Sequence, residues 1–257
     1  MSSDKPCCPT DAPPVRDPYK ATGDYFYLSG ALDCKRAVLI LGDVFGIQPN
    51  AKRYVDTLAK EGFLVLYPDF MREYARNMNN IGIDKNSQEY ARFFEYTRDY
   101  AFHMILARRA CALLRRLGVE KIATIGMCWG ARVAFDLAGE GLVEAASSAH
   151  PSRFTAEVMA PAARVPICVL PSKDENAEDM AGVEKAVNAH TVEPHVYKLY
   201  DKLTHGFFGN RFDYEKCTAE EKEQLDDAIR VSVDFFNKAL VVVTQTYTHL
   251  FLLFFRF

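Results

Sequence analysis

The chain has 257 residues, a length that suits one α/β domain with a large core better than two small ones. Its formal net charge of −3, with acidic and basic residues interspersed, argues against a broad nucleic-acid footprint. The seven cysteines, Cys7, Cys8, Cys34, Cys111, Cys128, Cys168 and Cys217, are odd in number and scattered. They suggest neither a disulfide framework nor a zinc site, and the polar N-terminus has no apolar signal-peptide core. A reducing, cytoplasmic setting is the expectation.

Residues 1–20 are rich in Pro and charge and read as an irregular arm. Tyr25–Leu28 fits a short edge strand. Ala37–Leu41 (A-V-L-I-L) is an apolar run of strand length, suited to a parallel strand buried on both faces. It ends in the loop Gly42-Asp43-Val44-Phe45-Gly46. A helix is predicted over Asn50–Glu61, with Gly62 ending it, and a strand over Phe63–Tyr67. Together they make a βαβ unit.

Residues 71–85 read as a loop or lid. Gln88–Leu117 is a long helical stretch in one or two pieces, with Arg108, Arg109, Arg115 and Arg116 on a solvated face. Ile122–Ile125 is the next strand. Gly126-Met127-Cys128-Trp129-Gly130 follows at once, and then a helix. Strand, tight turn and helix around G-x-C-x-G is the context of a nucleophile elbow, with Cys128 where serine usually stands. The helix N-terminus beyond it favours a thiolate. A merely buried cysteine is the plain alternative at this point.

Leu142–Ala149 is a weak strand ending at His150-Pro151. Val165–Leu170 is a clearer one, leading to Asp174 and Glu175. A helix covers Ala177–Ala189 and the last strand His195–Tyr200, which leads to His205-Gly206-Phe207. Thr218 and Glu221 have capping-box spacing at the start of a helix that runs to Ala239. The domain is therefore placed at residues 21–238. The tail, 239–257, is apolar but interrupted by T-Q-T-Y-T-H, too broken for a transmembrane span.

Alternating strands and helices imply a doubly wound, mostly parallel sheet with its site at the strand C-termini. Cys128, Asp174 and His205 follow three separate strands. Their order, nucleophile, acid, histidine, is that of the α/β-hydrolase fold. Cysteine supplies the nucleophile, histidine moves the proton, and the carboxylate orients the imidazole. Glu175 competes with Asp174 for the last role.

The chain resembles the dienelactone hydrolase family. The matching stretches are L-I-L-G-D-V-F-G (39–46), G-F-L-V-L-Y-P-D-F (62–70), I-G-M-C-W-G-A (125–131), S-A-H-P-S (148–152), the segment to Asp174, and H-G-F (205–207). They span about residues 25 to 238, and the adjacent Cys7-Cys8 is similar to the N-terminus of eukaryotic, fungal-like members. The resemblance implies Cys128 as nucleophile, His205 as base and Asp174 as its orienting partner. It also implies an oxyanion hole from the backbone N–H groups of Trp129 and Val44. Bacterial members carry a thiol-activating glutamate where Asp43 stands here, so Asp43 either takes that role or caps its own loop. Trp129, His150 and Phe207 are candidate pocket residues.

The expected activity is hydrolysis of lactones or small activated esters through a Cys-His-Asp triad and an acyl-enzyme. No metal, organic cofactor or nucleic-acid partner is expected, and the oligomeric state is open. A thioesterase or acyltransferase with the same triad, or a non-catalytic α/β-hydrolase-like interaction module, is the alternative.

Overall fold

The computed structural model describes residues 26–75, 86–209 and 211–242. The arm at residues 1–20, most of the lid segment and most of the apolar tail lie outside the described residues. Among the described residues, seven strands form one sheet in the order β1-β3-β2-β4-β5-β6-β7. Only β1 (Phe26–Ser29), an edge strand paired with β3 (Leu64–Pro68), runs antiparallel. The strands β2 (Arg36–Leu41), β4 (Lys121–Met127), β5 (Ala145–Ala149), β6 (Ile167–Leu170) and β7 (His195–Tyr197) are parallel to β3 and to one another. The sheet is therefore the mostly parallel, helix-covered one that the sequence pattern implies.

Period-two alternation sends each strand's side chains into two cores. Ala37, Leu39 and Leu41 of β2 face α3 (Tyr100–Arg116), α4 (Gly130–Gly139) and α6 (Ala177–Asn188). Val38 and Ile40 face α1 (Pro49–Lys60) and α7 (Ala219–Ala239). Phe235 and Phe236 of α7 are fully buried on that second face, each worth about 1.5–3 kcal/mol of transfer free energy. A buried hydrogen bond from Tyr54 Oη to Ser232 Oγ (2.9 Å) joins α1 to α7.

The long helical stretch is two helices, α2 (Gln88–Arg98) and α3, broken at Asp99. Asp99 caps α3 by accepting from the Phe102 N–H (3.0 Å). Between α4 and α6 lie a short helical turn, α5 (Ala156–Met159), and a 3₁₀ turn over Ala160–Ala162. Thr218 and Glu221 form the expected capping box. Beyond residue 238, Ala239 still belongs to α7 and Leu240 is fully buried, so the first residues assigned to the tail belong to the core. Among the described residues no helix is long and apolar enough to cross a membrane.

Candidate active site

The β4–α4 junction is as tight as its glycines suggest. A Cβ on Gly130 would collide with the Leu41 carbonyl of β2, and one on Gly126 with the backbone of Gly130 and Ala131. Only glycine at both positions lets α4 start directly against the sheet. Cys128 sits between them with φ +53°, a left-handed conformation costing a non-glycine residue about 1–2 kcal/mol. Its N–H donates to Ala149 O (3.2 Å), and its carbonyl accepts from Ala131 N (3.3 Å) and Ser152 N (3.0 Å). The backbone is thus held from both sides in the strained turn, at the N-terminus of a ten-residue helix.

The Cys128 thiol is buried and donates to Ser152 Oγ at 3.4 Å. Ser152 was not singled out in the sequence as a site residue. The signal was its place in S-A-H-P-S just past β5, where the strand end meets the elbow.

His205 follows β7 in a turn locked to the loop after β6. Tyr200 bridges Ser172, and Lys173 N donates to Leu203 O (3.2 Å). The imidazole Nδ1 lies 2.6 Å from Glu175 Oε1, with both side chains only 2% exposed. Here the structure departs from the expectation for Asp174. Its carboxylate accepts the backbone N–H of His205 (2.8 Å) and so fixes the loop, while the ring is met by Glu175. Reach explains the difference. At its position on the turn Asp174 meets the main chain, and Glu175, one methylene longer, extends to the ring. Glu175 is itself held by Ser172, whose Oγ lies 3.1 Å from Oε1 and whose N–H donates to Oε2. The S-K-D-E spacing, serine three residues before glutamate, was the readable clue.

Asp43 is buried in the loop after β2, and its carboxylate accepts the Phe45 N–H at 2.8 Å. It caps its own loop. Burial pushes its pKa up to about 6, against the opposing pull of the Phe45 N–H and of the neighbouring His205 and Arg211. Val44 is fully buried in the same loop, beside α4: the carbonyls of Leu41 and Gly42 adjoin Gly130.

Of the expected pocket residues, His150 and Phe207 pack together under the histidine. The His150 ring meets His205 at 5.1 Å and Phe207 at 5.0 Å, both edge to face. His150 is fully buried at φ +38°, and neither ring nitrogen has a hydrogen-bond partner among the described residues. Burial first, then the electrostatic influence of His205, holds its pKa well below the ordinary imidazole value, so it is neutral at pH 7. The Trp129 indole turns away from the histidine. Its Nε1 donates to Thr97 O (2.8 Å), and its ring stacks parallel to Tyr100 and edge-on to His103. Trp129 thereby ties the elbow to α2 and α3.

Among the described residues no group of His, Cys, Asp and Glu has the makings of a metal site. A cysteine at a tight strand–helix elbow, an acid–histidine pair after later strands and this sheet order together define the α/β-hydrolase fold. Comparison with known proteins narrows the class. Residues 25–240 match the dienelactone hydrolase family, and the chain belongs to it, among the carboxylic ester and lactone hydrolases. An uncharacterized AIM2 family protein of Schizosaccharomyces pombe is 26% identical over 91% of this chain and 99% of its own length. A putative carboxymethylenebutenolidase of Aquifex aeolicus is 25% identical over 79% of this chain and 88% of its own. Among solved structures, dienelactone hydrolase from Anabaena variabilis aligns with TM-score 0.58 at 15% identity, covering 84% of this chain and 92% of that one. A putative dienelactone hydrolase from Klebsiella pneumoniae also has TM-score 0.58, at 16% identity over 79% of this chain and 87% of that one. At such identities these two likenesses speak to the fold.

Proposed function

We propose that the protein hydrolyses lactones or small activated esters by covalent catalysis, with Cys128 as nucleophile, His205 as acid–base and Glu175 as the group that orients His205. Asp174 is a bracing residue that fixes the His205 backbone. The observation that carries this reading is the pairing of a strained, buried cysteine at the strand tip with a buried His205–Glu175 couple on the same sheet edge.

The Cys128 sulfur, its proton passed to His205, attacks the substrate carbonyl carbon. A C–S bond forms, and the carbonyl π electrons move to oxygen. The N–H groups of Trp129 and Val44 are assigned to that oxyanion, supported by Val44's loop lying against the start of α4. The tetrahedral adduct collapses, and the alkoxide leaves with the proton from His205. For a lactone it stays attached to the acyl chain. Water then loses a proton to His205 and attacks the thioester. The Cys128 thiolate leaves and takes back the proton held by His205, which restores the starting thiol and neutral imidazole. Glu175 keeps Nδ1 directed at itself and stabilises the imidazolium in each half-reaction.

The family match and the carboxymethylenebutenolidase relative support the ester and lactone class, and the scattered thiol set supports a cytoplasmic location. The test is burst kinetics with a chromogenic ester and with a small lactone. Cys128→Ala abolishes the burst and turnover. Retention of wild-type turnover by Cys128→Ala and His205→Ala overturns the assignment.

A further inference from the structure

Helix α3 carries four arginines, and they divide into two pairs. Arg108 is paired with Glu140 (2.7 Å from Nε to Oε2) and Arg115 with Glu144 (2.7 Å). Arg109 and Arg116 have no acidic partner among the described residues, and both line a cleft of about 350 Å³ between α3 and the C-terminal end of β3. Its apolar lining includes Leu66, Phe70, Leu106 and Leu113. Arg72 and Asp69 complete the polar part of the lining, and the Asp69 carboxylate is engaged by the N–H groups of Met71 and Arg72. The two guanidinium groups of Arg109 and Arg116 against the one engaged carboxylate of Asp69 leave the cleft with an excess of positive charge.

Leu106, Arg109, Ala110, Leu113 and Arg116 form one stripe at helical spacing, spanning about 15 Å of helix axis. Apolar walls that long, with two guanidinium groups among them, match a flexible aliphatic chain ending in an anionic head. A compact polar anion would leave the leucines unused, and a neutral chain would leave the arginines unused. The volume also lies within the range of small-ligand pockets, about 300–1,000 Å³. The cleft shares a wall with the elbow without including it. The ring of Phe70 packs against Trp129, the residue after Cys128, at 6.3 Å.

We propose that this cleft is a second ligand site, separate from the Cys128 centre, which binds a single-chain amphiphile with an anionic head of the carboxylate or phosphate-ester kind. Arg109 and Arg116 hold the head, and Leu66, Leu106 and Leu113 take the chain.

The experiment is calorimetric titration of the Cys128→Ala protein with sodium dodecanoate below its micelle concentration. Dodecanoate has no ester or lactone bond to cleave, so the result is independent of the hydrolase assignment. Saturable binding at one site is expected, accompanied by a change in emission from Trp129, the chain's single tryptophan. The double variant Arg109→Glu/Arg116→Glu should weaken binding at least tenfold, as should replacing dodecanoate by dodecan-1-ol. Leu106→Gln, which keeps both arginines, should also weaken it. Comparable affinity for dodecyl phosphate supports an anionic head read by charge, and preference for dodecanoate supports a carboxylate site. Absence of saturable binding overturns the proposal. So does affinity unchanged by the arginine reversal, which places the ligand elsewhere, the catalytic pocket included. Equal affinity for dodecan-1-ol overturns it as well.

Discussion

At the scale of single residues, the division of labour between Asp174 and Glu175 decides how the histidine is held. Both acids stand in the turn after β6, and both meet His205, one at its backbone N–H and the other at its ring. Substitution should separate them. Glu175→Gln leaves an amide beside Nδ1, which no longer favours the imidazolium, and kcat should fall by roughly 10²–10⁴-fold. Asp174→Asn retains an oxygen that can accept the His205 N–H, so kcat should fall by less than about tenfold, with the main effect on stability. Steady-state kinetics on a chromogenic ester reads both, and the reverse ranking would restore Asp174 as the orienting acid. The sequence located the turn and the histidine. It could not rank two adjacent acids, because side-chain reach on a turn depends on where the backbone points each residue. Asp43 was also half legible. Both capping and thiol activation fitted its position, and the Phe45 N–H contact shows the capping.

Among the elements, the elbow was the most legible, because its requirements are steric and local. Two glycines, a β-branched strand before and a helix after leave few other conformations. Gly130→Ala forces the new methyl into the Leu41 carbonyl, a backbone group that cannot move without shifting β2. The expected loss is about 1–3 kcal/mol, together with loss of activity as Cys128 is displaced. Gly182 provides the contrast. It lies within α6, and a Cβ there meets nothing within 4 Å. Gly182→Ala should therefore stabilise the protein by about 0.5–1 kcal/mol through helix propensity, with turnover unchanged. Urea denaturation of both variants checks the pair, and similar losses in the two would show that the close approach at Gly130 is not limiting. The least legible strand was β5, A-A-S-S-A. Its small, partly polar residues carry little strand propensity. It is a strand because β4 and β6 flank it and because Ser147 Oγ finds the Thr124 carbonyl (2.9 Å). Such tertiary support leaves no trace in a local pattern. The same is true of the α2–α3 break, where Asp99 is a good cap residue but the apolar periodicity runs across it.

For the whole molecule, the layered α/β architecture follows from alternating apolar strands and amphipathic helices, and that pattern was readable throughout the described domain. The pattern did not show that the sheet edge over which the chemistry is proposed would rest on two buried titratable groups with opposite pH responses. Asp43 has its folded pKa raised from 3.8 to about 6 by burial. Its ionised form therefore costs stability at pH 7, and the cost is relieved as the pH falls through about 6, where the folded state binds the extra proton. His150 has its folded pKa lowered well below 6.5, again chiefly by burial. Below 6.5 the unfolded chain takes up a proton that the folded state refuses, so stability falls on acidification. Each unmatched proton amounts to about 1.4 kcal/mol per pH unit. The two groups share His205 and Arg211 as electrostatic neighbours and oppose each other between about pH 6 and 4. Urea midpoints at pH 7, 6 and 5 should expose the balance. Asp43→Asn, which keeps an acceptor for Phe45 N–H, removes the gain on acidification, so its stability should drop more steeply than wild type from pH 7 to 5. His150→Phe keeps a ring against His205 and Phe207 but removes the loss, so its profile should be shallower than wild type. Slopes rather than absolute midpoints carry the comparison, since the larger phenyl ring alters packing by a pH-independent amount. Three parallel profiles would mean that neither group titrates differently in the folded and unfolded chains.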